Sequence, residues 1–174
     1  MNAGSGRSSA NSRAQATGAR AASVIIGLGN DILSDDAVGP AVARLVHARL
    51  PISSAELREA AVGGIALVEM LAGFRKAVIV DAILTSGGRA GDCYLLDLAE
   101  SPPSRRTAMT HEIGLLEGLE FGRRAGLPLP EVLRVYAVEV ADPHTFGTEM
   151  TPEVRAAVPR VAARILADEF GVAL

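Results

Sequence analysis

The sequence predicts an α/β fold, a mostly parallel central sheet of about five strands with helices on both faces. Three observations carry this reading. Two apolar runs, Val24-Ile25-Ile26 and Ala77-Val78-Ile79-Val80, lack the alternation of a half-exposed strand and read as strands buried on both faces. Segments with apolar residues at helical spacing fall between the strand-like runs, so the two element types alternate along the chain. The composition agrees: 49% of the residues are apolar and only 3% aromatic. The core must therefore be built from Val, Ile, Leu and Ala, which suit a parallel sheet under helices.

At 174 residues the chain has the length of a single domain. Seventeen basic against twenty acidic side chains leave it slightly acidic with no basic stripe, so neither nucleic acid nor an anionic membrane is an expected partner. A single cysteine, Cys93, excludes an intrachain disulfide and a cysteine-built zinc site. No secretory signal is visible, so a cytoplasmic location is expected. No apolar stretch is long enough to span a bilayer, and membrane insertion is not expected. Residues 1–22 contain no acid and almost no large apolar side chain; they read as a disordered tail ahead of a single domain over 23–174.

The first strand runs from Val24 into Gly27-Leu28-Gly29, where glycines allow a tight turn at its carboxyl end. Asp35 and Asp36 follow. Val38, Val42, Leu45, Val46 and Leu50 then recur at helical spacing, with Pro40 in the first turn and Pro51 as the stop. A short strand over about 55–62 leads through Gly63-Gly64 into a second helix, with Ile65, Val68 and Leu71 as its apolar stripe and Gly73 as its cap. Ala77 to Val80 forms the second strong strand, closed by Asp81-Ala82. After the loop of Ser86 to Gly91, Asp92 to Leu98 reads as a strand with partial alternation, and the sheet has room for one antiparallel strand. A polar, Pro-containing loop over 101–106 precedes Thr110, an N-cap for a helix carrying Ile113, Leu115, Leu116 and Leu119 and ending at Gly126. Leu133 to Val140 is the last strand. Thr151-Pro152-Glu153 opens the final helix, with Val154, Val158, Val161, Ile165 and Leu166 inward and Pro159 as a kink.

Open α/β sheets place their chemistry at the carboxyl ends of the strands. Asp36 after the first strand, Asp81 at the end of the central one and His111 at a helix start share that edge. Two carboxylates and an imidazole suit a borderline divalent cation and leave coordination positions open for water or substrate. Each residue also has a plainer reading: Asp35 or Asp36 as a helix cap, Asp81 as a buried acid with a structural partner, His111 as an incidental residue near a cap. His47 reads as a surface histidine, and His144 as solvent-facing or a substrate contact. Other chemistries fit less well. No Gly-x-Ser-x-Gly elbow is present. Leu115 stands where a zincin helix beginning at His111-Glu112 needs its second histidine. Cys93 reads as a small core residue, and Gly27-x-Gly29 lacks the third glycine of a dinucleotide fingerprint.

The chain resembles the hydrogenase maturation endopeptidases. The resemblance rests on Gly27-Leu28-Gly29-Asn30 with Asp35-Asp36 and Gly39, on Val80-Asp81-Ala82, on Thr110-His111, and on Thr151-Pro152-Glu153-Val154; it spans about 24–170. It implies a three-layer α/β/α fold and removal of the carboxyl-terminal extension from the large-subunit precursor of a nickel–iron hydrogenase. It also implies a metal site at Asp36, Asp81 and His111, where the ion is nickel supplied by the precursor. Asp36 and Asp81 are then the expected catalytic residues, one of them associated with the attacking water, and the chain is expected to act as a monomer. Ala37 stands where many relatives have glycine, Asp36 is the shorter of the two acids found at its position, and Glu139-Val140-Ala141-Asp142 replaces a stretch that contains proline in several relatives and helps set specificity. The competing reading is a non-catalytic chaperone of the same fold that binds the metal or the precursor. A nucleotide-binding enzyme is a more distant alternative, disfavoured by the lack of a phosphate loop.

Overall fold

A computed structural model describes residues 21–96 and 114–173. These form one five-stranded sheet in the order β2-β1-β3-β5-β4. The strands are β1 (Ala21–Leu28), β2 (Glu56–Ala60), β3 (Phe74–Ile83), β4 (Cys93–Leu96) and β5 (Val132–Glu139). The helices are α1 (Val38–Arg49), α2 (Gly64–Leu71), α3 (Leu115–Arg124) and α4 (Pro152–Phe170), with a 3-10 turn, Ser34–Ala37, ahead of α1. Parallel pairing sets Val24 against Glu56 and Ala77, and Ala77 against Leu133. Only β4 is antiparallel, with Cys93 opposite Val138. The predicted architecture is the observed one.

Burial follows the pleat. Ile25, Val78, Val80, Tyr136 and Val138 point to one face and pack with α1 and α4, while Val24, Ile26, Ala77, Ile79 and Ala137 point to the other and pack with α2 and α3. Covering both faces removes the need for polar positions in the central strands, which is why β1 and β3 read as unbroken apolar runs. Each helix leaves few polar side chains on its sheet side and many on its outer side.

Several expectations are corrected. β1 begins at Ala21, two residues inside the segment read as a tail. The stripe of α2 is Leu67, Val68 and Leu71; Ile65, in the first turn, is 45% exposed. β3 continues through Ala82 and Ile83, paired with Val138 and Glu139, so Asp81 lies within the strand rather than closing it. On α4, Ala157 and Ala162 are buried while Val158 is only half-buried. The helix runs on through Pro159 to Phe170 with that proline on its exposed side. The segments read as a loop over 101–106 and as the cap at Thr110 lie outside the described residues, as does the tail before Ala21.

The start of α1 lies unusually close to the strand ends. A Cβ on Gly39 would stand 2.0 Å from the Leu28 carbonyl oxygen and 2.7 Å from that of Val80. Both obstacles are backbone held in the sheet, so neither can give way. Gly39→Ala is therefore expected to destabilise the chain by at least about 3 kcal/mol in urea unfolding, the upper range for overpacked sites. A loss under about 1 kcal/mol would show that α1 can back away from the sheet at little cost.

Candidate functional site

The carboxyl ends of β1 and β3 lie side by side, and the chain leaves them in opposite directions. β1 continues through α1 to β2 on one side, whereas the path from β3 leads to β4 and β5 on the other. At such a switch point the loops diverge and open a crevice beyond the strand ends. At this edge Asp36 lies in the 3-10 turn after β1 and Asp81 near the end of β3, and the turn packs against β3.

Why the turn can lie there is visible in the glycines. Gly29 has φ 144°, and a Cβ on it would come within 1.9 Å of the Asp36 carbonyl oxygen. Its amide donates to the Ala60 carbonyl at 3.0 Å, which ties the turn to the end of β2 as well. Gly27 and Gly29 thus both permit close backbone packing, Gly27 against Gly39 and Pro40 and Gly29 against Asp36.

Asp36 is 2% exposed and Asp81 is fully buried. Each carboxylate is fixed by a backbone amide: the Asn30 amide donates to Asp36 Oδ2 and the Ala82 amide to Asp81 Oδ1, both at 2.8 Å. A backbone amide held in the strand or turn is a fixed donor, so each of these bonds sets the direction of the carboxylate it meets. His111, the third residue expected here, lies outside the described residues. Among the described residues no group of three or more His, Cys, Asp and Glu side chains is arranged to hold a metal ion.

The adjacent Asp35 is bonded differently. It is fully buried, and its Oδ2 accepts from the amides of Ala141 and Asp142 at 3.0 and 2.9 Å. Its Oδ1 accepts from the Thr151 amide at 2.7 Å, and the Thr151 hydroxyl stands 3.0 Å from both oxygens. Four donors fill a carboxylate. Neither Asp35 nor Asp36 acts as a side-chain cap for the helix that follows.

Sequence reading did not single out Glu139 as a structural acid or Thr151 as a partner of Asp35. Glu139 ends β5 fully buried, and its carboxylate accepts from the Thr85 amide at 2.6 Å and the Thr85 hydroxyl at 2.8 Å. It fastens the loop after β3 to the end of β5. The available signal was a lone acid inside the apolar run Tyr136-Ala137-Val138-Glu139-Val140. Of the remaining candidates, His47 is exposed on α1, and His144 is exposed in a turn closed by Asp142 Oδ1, which accepts from the amides of His144 and Thr145 at 3.3 and 3.0 Å. Thr145 in particular holds the Asp142 carboxyl below its usual range.

A family model described as HycI, hydrogenase maturation protease, matches residues 40–168. The match contains Asp81 and His111 and begins just past Asp36. Comparison with curated proteins finds no match. Among solved structures, the chain is similar to the hydrogenase maturating endopeptidase HybD from E. coli, at 24% identity and a TM-score of 0.67 over 84% of this chain and 90% of that one. It is also similar to an endopeptidase from Escherichia coli solved in solution (23% identity, TM-score 0.69, 87% and 95% covered). The [NiFe] hydrogenase maturation protease HybD from Thermococcus kodakarensis gives 21% identity and a TM-score of 0.62 over 81% and 94%. At these identities the structural likeness is one of fold.

Cys93 is half-buried against the α4 side of the core, and burial pushes its thiol up to about 11. Against an ordinary thiol near pKa ~8.5, its thiolate fraction at pH 8 is roughly a hundredfold lower. Alkylation by iodoacetamide at pH 8 should accordingly be far slower in the native chain than in urea. Equal rates would mean that the thiol is neither shielded nor perturbed.

Proposed function

The chain belongs to the hydrogenase maturation protease family, and from that premise we propose that it is an endopeptidase acting on the large-subunit precursor of a nickel–iron hydrogenase. It removes the carboxyl-terminal extension after nickel has been inserted, and the nickel is part of the substrate. The observation that carries this reading is the pair of buried carboxylates, Asp36 and Asp81, at the point where strand order reverses.

The donor set fits such an ion. Hard carboxylate oxygens and an imidazole are accepted by borderline divalent metals, and two carboxylates balance a double positive charge. Asp36 and Asp81, with His111 as the third proposed ligand, would hold it. When bound there, the ion supplies Lewis-acid polarisation of the scissile carbonyl. The chain's own residues do the rest. Because backbone amides already fix Asp36 and Asp81, neither has to reorganise when substrate arrives. One of the two accepts a proton from the water that adds to the carbonyl carbon, and the carbon–nitrogen bond then breaks as that proton passes to the leaving amine. Burial of both acids keeps bulk water away from this transfer.

No helix among the described residues is long and apolar enough to cross a membrane, in keeping with a precursor met in the aqueous phase. A cytoplasmic location and action as a monomer complete the proposal.

The test is the intact mass of a large-subunit precursor incubated with the chain, with and without prior nickel loading. Loss of a carboxyl-terminal peptide from the loaded precursor alone is expected. Asp36→Ala and Asp81→Ala should each lower the rate by at least about a hundredfold, the usual scale for loss of a positioned acid–base group. Cleavage unchanged by both substitutions would defeat the mechanism. An unchanged mass with stable co-elution would instead make the chain a stoichiometric chaperone.

A further inference from the structure

We propose that Asp35, with Thr151 as its partner, is a positioning residue for Asp36; the catalytic part of this role rests on the function proposed above. The 3-10 turn carrying Asp36 has no side-chain cap of its own. What holds it comes from the connection between β5 and α4. Asp35 reaches Ala141, Asp142 and Thr151, which are 106, 107 and 116 residues away in sequence. Its amide donates in turn to the Asp142 carbonyl at 3.1 Å. The Ser34 hydroxyl donates to the Glu149 carbonyl at 3.0 Å, the Gly147 amide to the Ile32 carbonyl at 3.0 Å, and Leu33 forms an isolated antiparallel bridge with Phe146.

Thr151 gives a second, independent sign. It is the N-cap of α4, where a threonine hydroxyl normally accepts from an amide of its own helix. Here no such cap bond exists, and the hydroxyl is turned to Asp35. A helix of nineteen residues thus gives up its cap to hold the residue beside Asp36.

Geometry makes the consequence for Asp36 direct. Successive side chains in a 3-10 turn are separated by about 120°. With the Asp35 carboxylate drawn toward the start of α4, the next side chain is sent elsewhere, and the Asn30 amide receives it at 2.8 Å. Releasing Asp35 lets the turn rotate and carries Asp36 with it. The Asp35–Thr151 pair therefore sets the direction of Asp36 without touching substrate.

The test compares Asp35→Asn, Thr151→Val, Thr151→Ser and a control in the core of α4, Ile165→Val, in the full chain. Asp35→Asn keeps the size but turns an amide donor toward backbone donors. Two readouts are taken: hydrogen exchange of the Asn30 amide, and kcat and KM for cleavage of the nickel-loaded precursor per folded molecule. For Asp35→Asn, Asn30 exchange should accelerate at least about tenfold and kcat fall about a hundredfold, with KM within about threefold, as expected for a misplaced catalytic group. Thr151→Val should lower kcat about fivefold and Thr151→Ser restore it, while Ile165→Val should leave both readouts unchanged. Asn30 protection and kcat within about twofold of the unsubstituted chain in Asp35→Asn would overturn the proposal. If that variant does not fold, identical behaviour of Thr151→Val and Thr151→Ser overturns it instead. Should the unsubstituted chain fail to cut the precursor, the proposed function falls and takes the catalytic role of Asp35 with it, while Asn30 exchange still decides whether Asp35 orients Asp36.

Discussion

Where β1 ends, the backbone turns so closely against its own strand that Gly29 meets the Asp36 carbonyl and Gly39 meets the carbonyls of Leu28 and Val80. The site geometry depends on this approach. It brings the 3-10 turn onto β3, so that the acid on the turn and the acid on the strand come to the same edge of the sheet. Any side chain at Gly39 would wedge α1 away from the sheet, moving Asp36 and opening the core of Val38, Val42 and Val46 beneath it. Packing and chemistry therefore rest on the same few backbone contacts.

Among the described residues four carboxylates are buried along this edge: Asp35, Asp36, Asp81 and Glu139. Burying an acid is costly unless donors replace the water it loses. Backbone amides and hydroxyls supply those donors. Asp35 takes three amides and a hydroxyl and joins two loops; Glu139 takes the amide and hydroxyl of Thr85 and secures a third. Asp36 and Asp81, near the switch point, each accept from a backbone amide. Loops that carry the site are thus held by buried, charge-assisted bonds, which solvent screens little.

The outer surface contributes less to this order. Arg44 pairs with both Asp31 and Glu59, linking the loop after β1 to the end of β2, and these links raise the guanidinium further above its usual range. Both pairs are substantially exposed, so each adds at most a few tenths of a kcal/mol to about one. They reinforce a placement that the glycines and Asp35 already impose.

Much of this fold was legible in the chain itself, for local reasons. Burial on both faces forces unbroken apolar runs, so Val24 to Ile26 and Ala77 to Val80 declared themselves; Gly73 and Gly126 marked helix ends because their positive φ suits glycine there. Asp36 and Asp81 could be placed on one edge because one follows a buried apolar run and the other lies at the carboxyl end of the next. Other features depend on partners far along the chain and left no local trace. Nothing near Asp35 announces Thr151, and nothing near Glu139 announces Thr85, yet these bonds decide which acids are structural. On α2, Val68 and Leu71 were legible as the apolar stripe, but its third member is Leu67 and not the exposed Ile65. By itself, then, the sequence determined the layers, the strand order's parallel character and the edge where carboxylates gather, because those follow from hydrophobic periodicity and turn chemistry. Only the tertiary structure decided that Asp35 is bound to the connection between β5 and α4, because that depends on donors brought in from more than a hundred residues away.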